Sequence, residues 1–376
     1  MDGALRVTVW LVNVADEALL WSQRYDVTEK DLYALQDSAA TAIASALYVG
    51  LARRADPGLG AHRTANPEAH DLVLRGQFLV EQQSSEAGLH QAIAMFERAA
   101  ALDSTYADPW NGVAQAWFFL ADTYLAPRAA VPPMRAAIDK ALSLDPTSAW
   151  AHALKGSLLA SYVRDYPAAE REYLKATARD STTPFAGDFG WVLHGRGLDD
   201  SALAVVRRAR RHNPFSYAPT NLAETIFSNM GMLDSATAAC QALQRLGPDL
   251  CDEWLLIQRG RPAEVVAARK TRPPTTPEEM LDLAEALARA GNTAAARREL
   301  STALTAAGSR YVREDYVASV YLALGDTTRT LEWLERGLDA QAANMAQINR
   351  FWRFKPLHGN PGFAAIVRKA GLRLWP

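Results

Sequence analysis

The chain begins with two stretches of alternating apolar and polar residues and then changes to a different pattern. In "LRVTVWLVNVADEALLWSQRYD", residues 5–26, this alternation on both sides of a polar turn predicts two antiparallel strands. The next stretch, "EKDLYALQDSAATAIASALYVGLARR", has apolar residues at intervals of three and four, which predicts a helix over residues 29–53. "ADPGLGAHRTANP" then contains proline and glycine, so residues 55–67 are expected to form a linker.

From residue 68 onward the apolar pattern is helical and it repeats. Seven amphipathic segments align on one equivalent position, occupied by Ala92, Met134, Ala169, Ala202, Ala236, Ala296 and Thr330. The intervals between these residues are 42, 35, 33, 34, 60 and 34, so the period is close to 34. Twelve positions before three of them the residue is small, as at Gly190, Ala284 and Ala318, which would let two helices approach closely.

This period and these positions resemble the tetratricopeptide (TPR) repeat, a unit of two antiparallel helices. The resemblance implies a mainly α fold, a right-handed TPR superhelix or solenoid of seven or eight helical hairpins. Five units are expected over residues 68–249, a degraded unit with an irregular turn over 250–277, and two further units over 278–340. Residues 341–376 are expected to cap the last apolar surface of the solenoid.

The N-terminal residues carry a second resemblance. "LRV" at 5–7, "LLWS" at 19–22, "RYD" at 24–26 and "DLYALQD" at 31–37 resemble the second half of a small TolB-amino-terminal-like α/β domain. Such domains precede TPR arrays in bacterial transcription activators, adenylate cyclases and serine/threonine kinases. The resemblance implies that residues 1–54 are a small truncated α/β segment, a β-hairpin plus a helix. A two-stranded ribbon has an exposed strand edge, so we expect self-association through the N-terminal strand.

The amino-acid composition limits the classes of protein to which this chain could belong. The chain has 376 residues, 49% of them hydrophobic, and a formal net charge of -2, so no overall positive field favours nucleic-acid binding. Its two cysteines, Cys240 and Cys251, are too few for a disulfide framework or a four-cysteine zinc site and are expected to be ordinary small apolar side chains. No apolar run is long enough to span a membrane. We expect a cytoplasmic protein, or a periplasmic location if the chain is the tail of a membrane-anchored signalling protein.

Motifs of catalysis are missing from the sequence. It has no phosphate-binding glycine loop ending in Lys-Ser or Lys-Thr, no Gly-x-Ser-x-Gly elbow and no paired histidines at helical spacing. We therefore expect no catalytic residues, no metal and no cofactor. The basic run at 207–211 is expected to be a solvated helix face, with an anionic partner as the alternative. In "RFWRFKPLHGNPGF", at 350–363, a cap with inward-packed aromatic rings is favoured over a nucleic-acid surface.

The TPR resemblance also implies where a partner would bind. In such an array the first helix of each hairpin lines a concave groove. The resemblance places eight residues in this groove: Asn111, Gln115, Phe118, Trp191, His194, Asn221, Thr225 and Ser228. Amides and hydroxyls beside aromatic rings can bind an extended peptide backbone, although these could equally be polar positions that the fold tolerates. The sequence thus favours a non-enzymatic interaction or sensory scaffold that binds a protein or peptide. The alternative is the regulatory tail of a kinase, cyclase or transcription activator whose effector domain is absent from this chain.

Overall fold

The computed structural model describes residues 4–12, 19–28, 64–81, 85–121, 123–179, 188–212, 217–246, 251–308 and 310–374. The predicted helix over residues 29–53 and most of the predicted linker lie outside these ranges.

Two antiparallel strands form the N-terminal ribbon. Strand β1 (Ala4–Val12) pairs with β2 (Leu19–Thr28), with a register irregularity between Leu11 and Val12. Alternating side chains point to opposite faces of a strand, which accounts for the two-residue pattern in the sequence. The predicted hairpin is confirmed. Within the described part of the chain each strand pairs only with the other, so each has a second edge without a strand beside it.

Eight helical hairpins follow along the described residues. They pair α1 (Pro67–Glu81) with α2 (Glu86–Leu102), α3 (Asp108–Leu120) with α4 (Pro127–Leu144), α5 (Ala149–Leu158) with α6 (Tyr166–Arg179), α7 (Asp188–Gly195) with α8 (Asp199–His212), α9 (Tyr217–Asn229) with α10 (Leu233–Leu246), α11 (Cys251–Gln258) with α12 (Pro262–Thr271), α13 (Pro277–Arg289) with α14 (Thr293–Ala307), and α15 (Glu314–Ala323) with α16 (Thr327–Asp339). A π-helical turn (Leu159–Val163) extends α5. The prediction of a mainly α solenoid after a strand hairpin is confirmed.

The repeated positions in the sequence are the centres of the hairpin cores. The seven aligned residues Ala92, Met134, Ala169, Ala202, Ala236, Ala296 and Thr330 have no exposed surface. Small residues opposite them are required by packing. A Cβ on Gly76 of α1 would lie 2.6 Å from Phe96 Cε1 of α2, and one on Gly156 of α5 would lie 2.9 Å from Tyr173 Cδ2 of α6. The 34-residue period thus records where the second helix of each hairpin presses against the first.

The two cysteines form a disulfide, so the expectation that they are ordinary apolar side chains is wrong. Cys240 of α10 and Cys251 of α11 are both buried, and their Cα atoms lie 5.7 Å apart. That distance is the usual one for a disulfide. Two cysteines are too few for a framework, but successive helices of a solenoid bring residues eleven apart into contact. The bond ties the fifth hairpin to the sixth.

The last part of the chain folds back over the solenoid. After α16 come two 3-10 helices (Ala343–Gln347 and Trp352–Leu357) and α17 (Pro361–Lys369). Helix α17 packs against α16, and its Phe363 is fully buried. Residues 343–357, here called the C-terminal segment, run instead along the first helices of the hairpins. This second role goes beyond the cap that the sequence predicts.

A search of the described helices for one with the length and apolar character needed to cross a bilayer finds none.

Candidate functional site

The C-terminal segment lies on the surface that the first helices of the hairpins form, here called the inner surface. Met345, Ile348 and Phe354 are almost completely buried and share one apolar cluster with Val192 of α7. At Gly195, the last residue of α7, an added Cβ would lie 2.8 Å from the Ala346 carbonyl oxygen. Burial of this extent makes the segment part of the core, because each such side chain contributes about 1.5–3 kcal/mol.

A buried polar chain joins this segment to α7, α8 and α9. The Asn229 amide accepts a hydrogen bond from the Trp352 backbone N–H at 3.1 Å, and its Nδ2 donates to His194 Nε2 at 2.9 Å. His194 Nδ1 in turn donates to Asp199 Oδ1 at 2.7 Å, and Asp199 forms an ion pair with Arg350. Burial lowers the pKa of His194, so its imidazole is neutral, as one donating and one accepting nitrogen require.

A second polar anchor is Arg353. Its Nη2 lies 3.3 Å from Asp282 Oδ1, and its Nε lies 3.1 Å from Glu285 Oε2, both on α13. Its guanidinium carbon also lies near three aromatic ring centroids, at 5.2 Å from Trp254, 5.3 Å from Tyr316 and 5.5 Å from Trp352. Carboxylates and ring faces together stabilise a buried cation.

The two carboxylates around Arg353 differ in charge state. Burial raises the pKa of Asp282 to about 7, which Arg353 only partly opposes. Burial also acts against the charge on Glu285, but Arg353 and Arg289 hold the pKa of Glu285 below its ordinary value. The Ser319 hydroxyl donates to Glu285 Oε2 at 2.9 Å and favours the same charged form. Glu285 is therefore the principal counter-ion of Arg353.

A cavity of about 380 Å³ remains between the inner surface and the C-terminal segment. The inner surface supplies to the lining of this cavity the rings of Phe118, Trp191, Trp254 and Tyr316, and the second helix of the third hairpin, α6, supplies Tyr166 and Tyr173. The segment supplies Phe351, Trp352 and Phe354 on the other side. The volume of the cavity lies within the range of about 300–1,000 Å³ that is typical of small-ligand pockets. An occupant would be surrounded by aromatic side chains from both parts of the chain.

Five of the eight sequence-predicted residues line this cavity: Phe118, Trp191, Asn221, Thr225 and Ser228. The other three do not. Asn111 is buried and its Nδ2 lies 3.4 Å from Ser148 Oγ, Gln115 is 9% exposed, and His194 belongs to the polar chain described above. A role in partner binding stays a prediction for all eight.

Two carboxylates of the cavity were not singled out by the sequence pattern, Asp188 of α7 and Glu224 of α9. The Ser157 hydroxyl donates to Asp188 Oδ2 at 2.9 Å and lies 2.9 Å from the Tyr173 hydroxyl. Burial raises the pKa of Asp188 to about 7. A repeat alignment follows apolar positions and passes over such residues. One signal was present, because Asp188 precedes Trp191 by three residues and therefore shares its helix face.

No group of three or more His, Cys, Asp and Glu side chains in the described residues is arranged to hold a metal ion.

Successive helical hairpins around an inner surface define the described part of this chain as a mainly α solenoid. The solved structures that are similar to it include the following two. PilF of Pseudomonas aeruginosa has a TM-score of 0.32 and 17% sequence identity, over 63% of this chain and 92% of that chain. The TPR domain of P58(IPK) has a TM-score of 0.24 and 14% identity, over 80% of this chain and 92% of that chain.

No protein-family model matches the sequence, and no curated protein matches it. At the TM-scores and identities of the two solved structures, nothing about a ligand passes from them to this chain. The resemblance of residues 1–54 to a TolB-amino-terminal-like domain stays a prediction.

Proposed function

We propose that this chain is a non-enzymatic binding scaffold that takes a short peptide, or a short peptide segment of a protein partner, into the cavity beneath its C-terminal segment. The observation that supports this most is the cavity itself, about 380 Å³ in volume and lined by five of the residues that the repeat pattern assigns to the groove. Its volume suits a few residues of peptide better than a long strand.

The polar groups of the cavity suit a peptide backbone. Asn221 and Thr225 are four residues apart on α9 and therefore lie on one helix face, beside the rings of Phe118 and Trp191 in the cavity wall. An amide and a hydroxyl can bind backbone N–H and C=O groups while the rings supply apolar contact. Ser228 also lines the cavity, but its hydroxyl donates to Gln258 Oε1 at 2.7 Å.

The C-terminal segment supplies a precedent within the molecule. The inner surface already binds this short irregular stretch through a backbone N–H, at Trp352, and through a basic side chain, at Arg353. A peptide in the neighbouring cavity would use the same kinds of contact.

The serine of the cavity supports a binding role over catalysis. Ser157 is 1% exposed, and the described contacts of its hydroxyl are with Ala153 O, Asp188 and Tyr173. A nucleophilic serine needs an adjacent base, most often a histidine, to accept its proton. Ser157 instead orients the Asp188 carboxylate.

Filling the cavity tests the proposal. Thr225→Trp places an indole in the cavity, whereas Thr302→Trp places one on the exposed surface of α14. Pools of randomised pentapeptides would be added to each protein and bound members detected by ligand-observed NMR. We expect wild type and Thr302→Trp to bind the same members and Thr225→Trp to lose them. If Thr225→Trp folds and binds as wild type does, or if wild type binds no member, the proposal is wrong.

A further inference from the structure

Charged side chains of both signs line the cavity. Asp188, Glu224, Arg313, Asp315 and Arg353 line it. Arg313 Nη2 lies 2.8 Å from Asp315 Oδ2, so that pair is neutral overall. Arg353 already has Glu285 and Asp282 as counter-ions. None of these ion pairs includes Asp188.

Asp188 has no cationic partner among the residues that the structure describes. The group in contact with its carboxylate is the neutral hydroxyl of Ser157, at 2.9 Å. Burial disfavours the charged form of a carboxylate unless a positive charge lies beside it. The geometry thus leaves a place for a cation that the described chain does not supply.

Aromatic rings complete this place. Trp191 shares the helix face of Asp188, and Tyr173, whose hydroxyl lies 2.9 Å from the Ser157 hydroxyl that Asp188 also contacts, lines the cavity as well. The face of an aromatic ring attracts ammonium and guanidinium groups. The same combination already holds Arg353 elsewhere in the cavity wall, where two carboxylates and three rings surround a guanidinium.

We propose that the cavity binds its ligand through a positively charged ammonium or guanidinium group that pairs with Asp188, as a lysine or arginine side chain of a peptide would. The inference rests on the proposed function, since it assigns the charge of the ligand at the same cavity. Within the chain, the Arg353 guanidinium already pairs with the carboxylates of Asp282 and Glu285. Asp188 offers a further carboxylate, with which a cation of the ligand would pair in the same way.

The energetics of Asp188 agree with this assignment. Burial raises the pKa of Asp188 to about 7, so its ionised form is disfavoured in the folded protein without a ligand. An asparagine could keep the hydrogen bond from Ser157 and would carry no charge to bury. Carboxylates that cost stability in this way are concentrated at binding and active sites.

Small organic ions test the charge preference without knowledge of the peptide. The probes are n-butylammonium, n-butylguanidinium, n-butanol and butyrate, compared at pH 8 and constant ionic strength, where Asp188 is mostly ionised. Dissociation constants would be taken from shifts of the tryptophan indole N–H signals in NMR spectra. We expect both cations to bind at least about tenfold more tightly than butanol, as a charge-assisted hydrogen bond provides, and butyrate to bind most weakly.

Two variants locate the effect. Asp188→Asn should weaken binding of the two cations about tenfold and leave butanol unchanged. Asp200→Asn removes a carboxylate from an exposed position of α8 and should change neither. A pentapeptide with a central lysine and its norleucine counterpart then show whether a peptide delivers the charge. The lysine peptide should bind more tightly, and only in proteins that retain Asp188.

The outcomes separate the two proposals. If butanol or butyrate binds as tightly as the cations, or if Asp188→Asn binds the cations as wild type does, the cavity does not select a positive charge and this inference is wrong. If the cations bind through Asp188 but no pentapeptide binds, the proposed function is wrong while the cation site stands.

Discussion

Asp188 is the residue at which function and stability are most clearly opposed. Among the residues that the structure describes, its carboxylate accepts a hydrogen bond from the Ser157 hydroxyl, and burial raises its pKa to about 7. The ordinary pKa of an aspartate in an unfolded chain is about 3.9. Between these two pH values the folded protein retains a proton that the unfolded chain releases. The contribution of Asp188 to the stability of the folded state therefore falls as the pH rises through this interval.

Asp188→Asn should remove this pH dependence. We expect the variant to be more stable than wild type at pH 8, by about 1 kcal/mol or more, and this electrostatic difference to vanish below about pH 3, where Asp188 is protonated in the folded and the unfolded state. Urea denaturation at several pH values measures it. A difference that is the same at every pH would show that the carboxylate titrates alike in the folded and unfolded states.

At the scale of elements, the disulfide between α10 and α11 stabilises a part of the solenoid that has short helices. It joins the fifth hairpin to the sixth, whose helices have only 8 and 10 residues. Short helices bury little surface, so a covalent constraint has a large share in their stability.

Replacing both cysteines by alanine should lower the free energy of unfolding by about 2–3 kcal/mol, the chain-entropy effect of a loop of this length. Reduction of wild type with dithiothreitol should give a similar loss, and the double variant should not respond to the reductant. These values come from denaturation curves with and without reductant. Equal stability of wild type in both conditions would contradict a stabilising bond.

The N-terminal ribbon has a strand edge that another chain could use. Within the described residues β1 pairs only with β2, and Val9 lies opposite Gln23 near the middle of the pair. An edge without a partner strand offers N–H and C=O groups to a further strand.

Sedimentation velocity tests this prediction of self-association. Wild type should form dimers or larger species as its concentration rises. Val9→Pro removes one backbone donor at the centre of β1 and should shift the equilibrium towards the monomer. A wild type that stays monomeric at every concentration would show that this edge does not bind another copy.

The sequence was informative about elements because hairpin contacts are local. Ala202 and Gly190 are twelve residues apart and recur with the 34-residue period, so apolar spacing alone located the hairpins. Contacts of the C-terminal segment could not be located in this way. Arg353 contacts Asp282, which lies 71 residues earlier in the sequence. The 3-10 helices of the C-terminal segment are too short to show a periodic pattern of apolar residues. The apolar spacing likewise predicts an open groove at His194, although this side chain has no exposed surface and its ring is hydrogen-bonded to Asp199 and Asn229.

For the whole molecule, the C-terminal segment changes how the repeats depend on one another. A solenoid is normally held by contacts between neighbouring units, and its parts can unfold separately. Here Arg350 binds Asp199 and Trp352 binds Asn229, across 151 and 123 residues. The C-terminal segment thereby connects the fourth to the eighth hairpin through direct contacts.

Arg353→Met should show this coupling. It leaves Asp282 and Glu285 buried without their shared cation, which should lower stability by about 3–5 kcal/mol. Calorimetry should record one unfolding transition for residues 64–374 in wild type and a separated, broader pair in the variant. Arg368→Met, on the exposed side of α17, serves as the control and should unfold as wild type does. A single unchanged transition in Arg353→Met would show that the segment does not connect the hairpins.

The returning segment also has a mechanical consequence. A solenoid whose units touch only their neighbours lengthens gradually when its ends are pulled apart, because each interface opens a little. The C-terminal segment bridges several interfaces at once, so under tension the buried pairs of Arg350 and Arg353 carry the load first. The molecule should therefore be stiff at low force and extend abruptly when these pairs break, and the cavity beneath the segment would open in the same step.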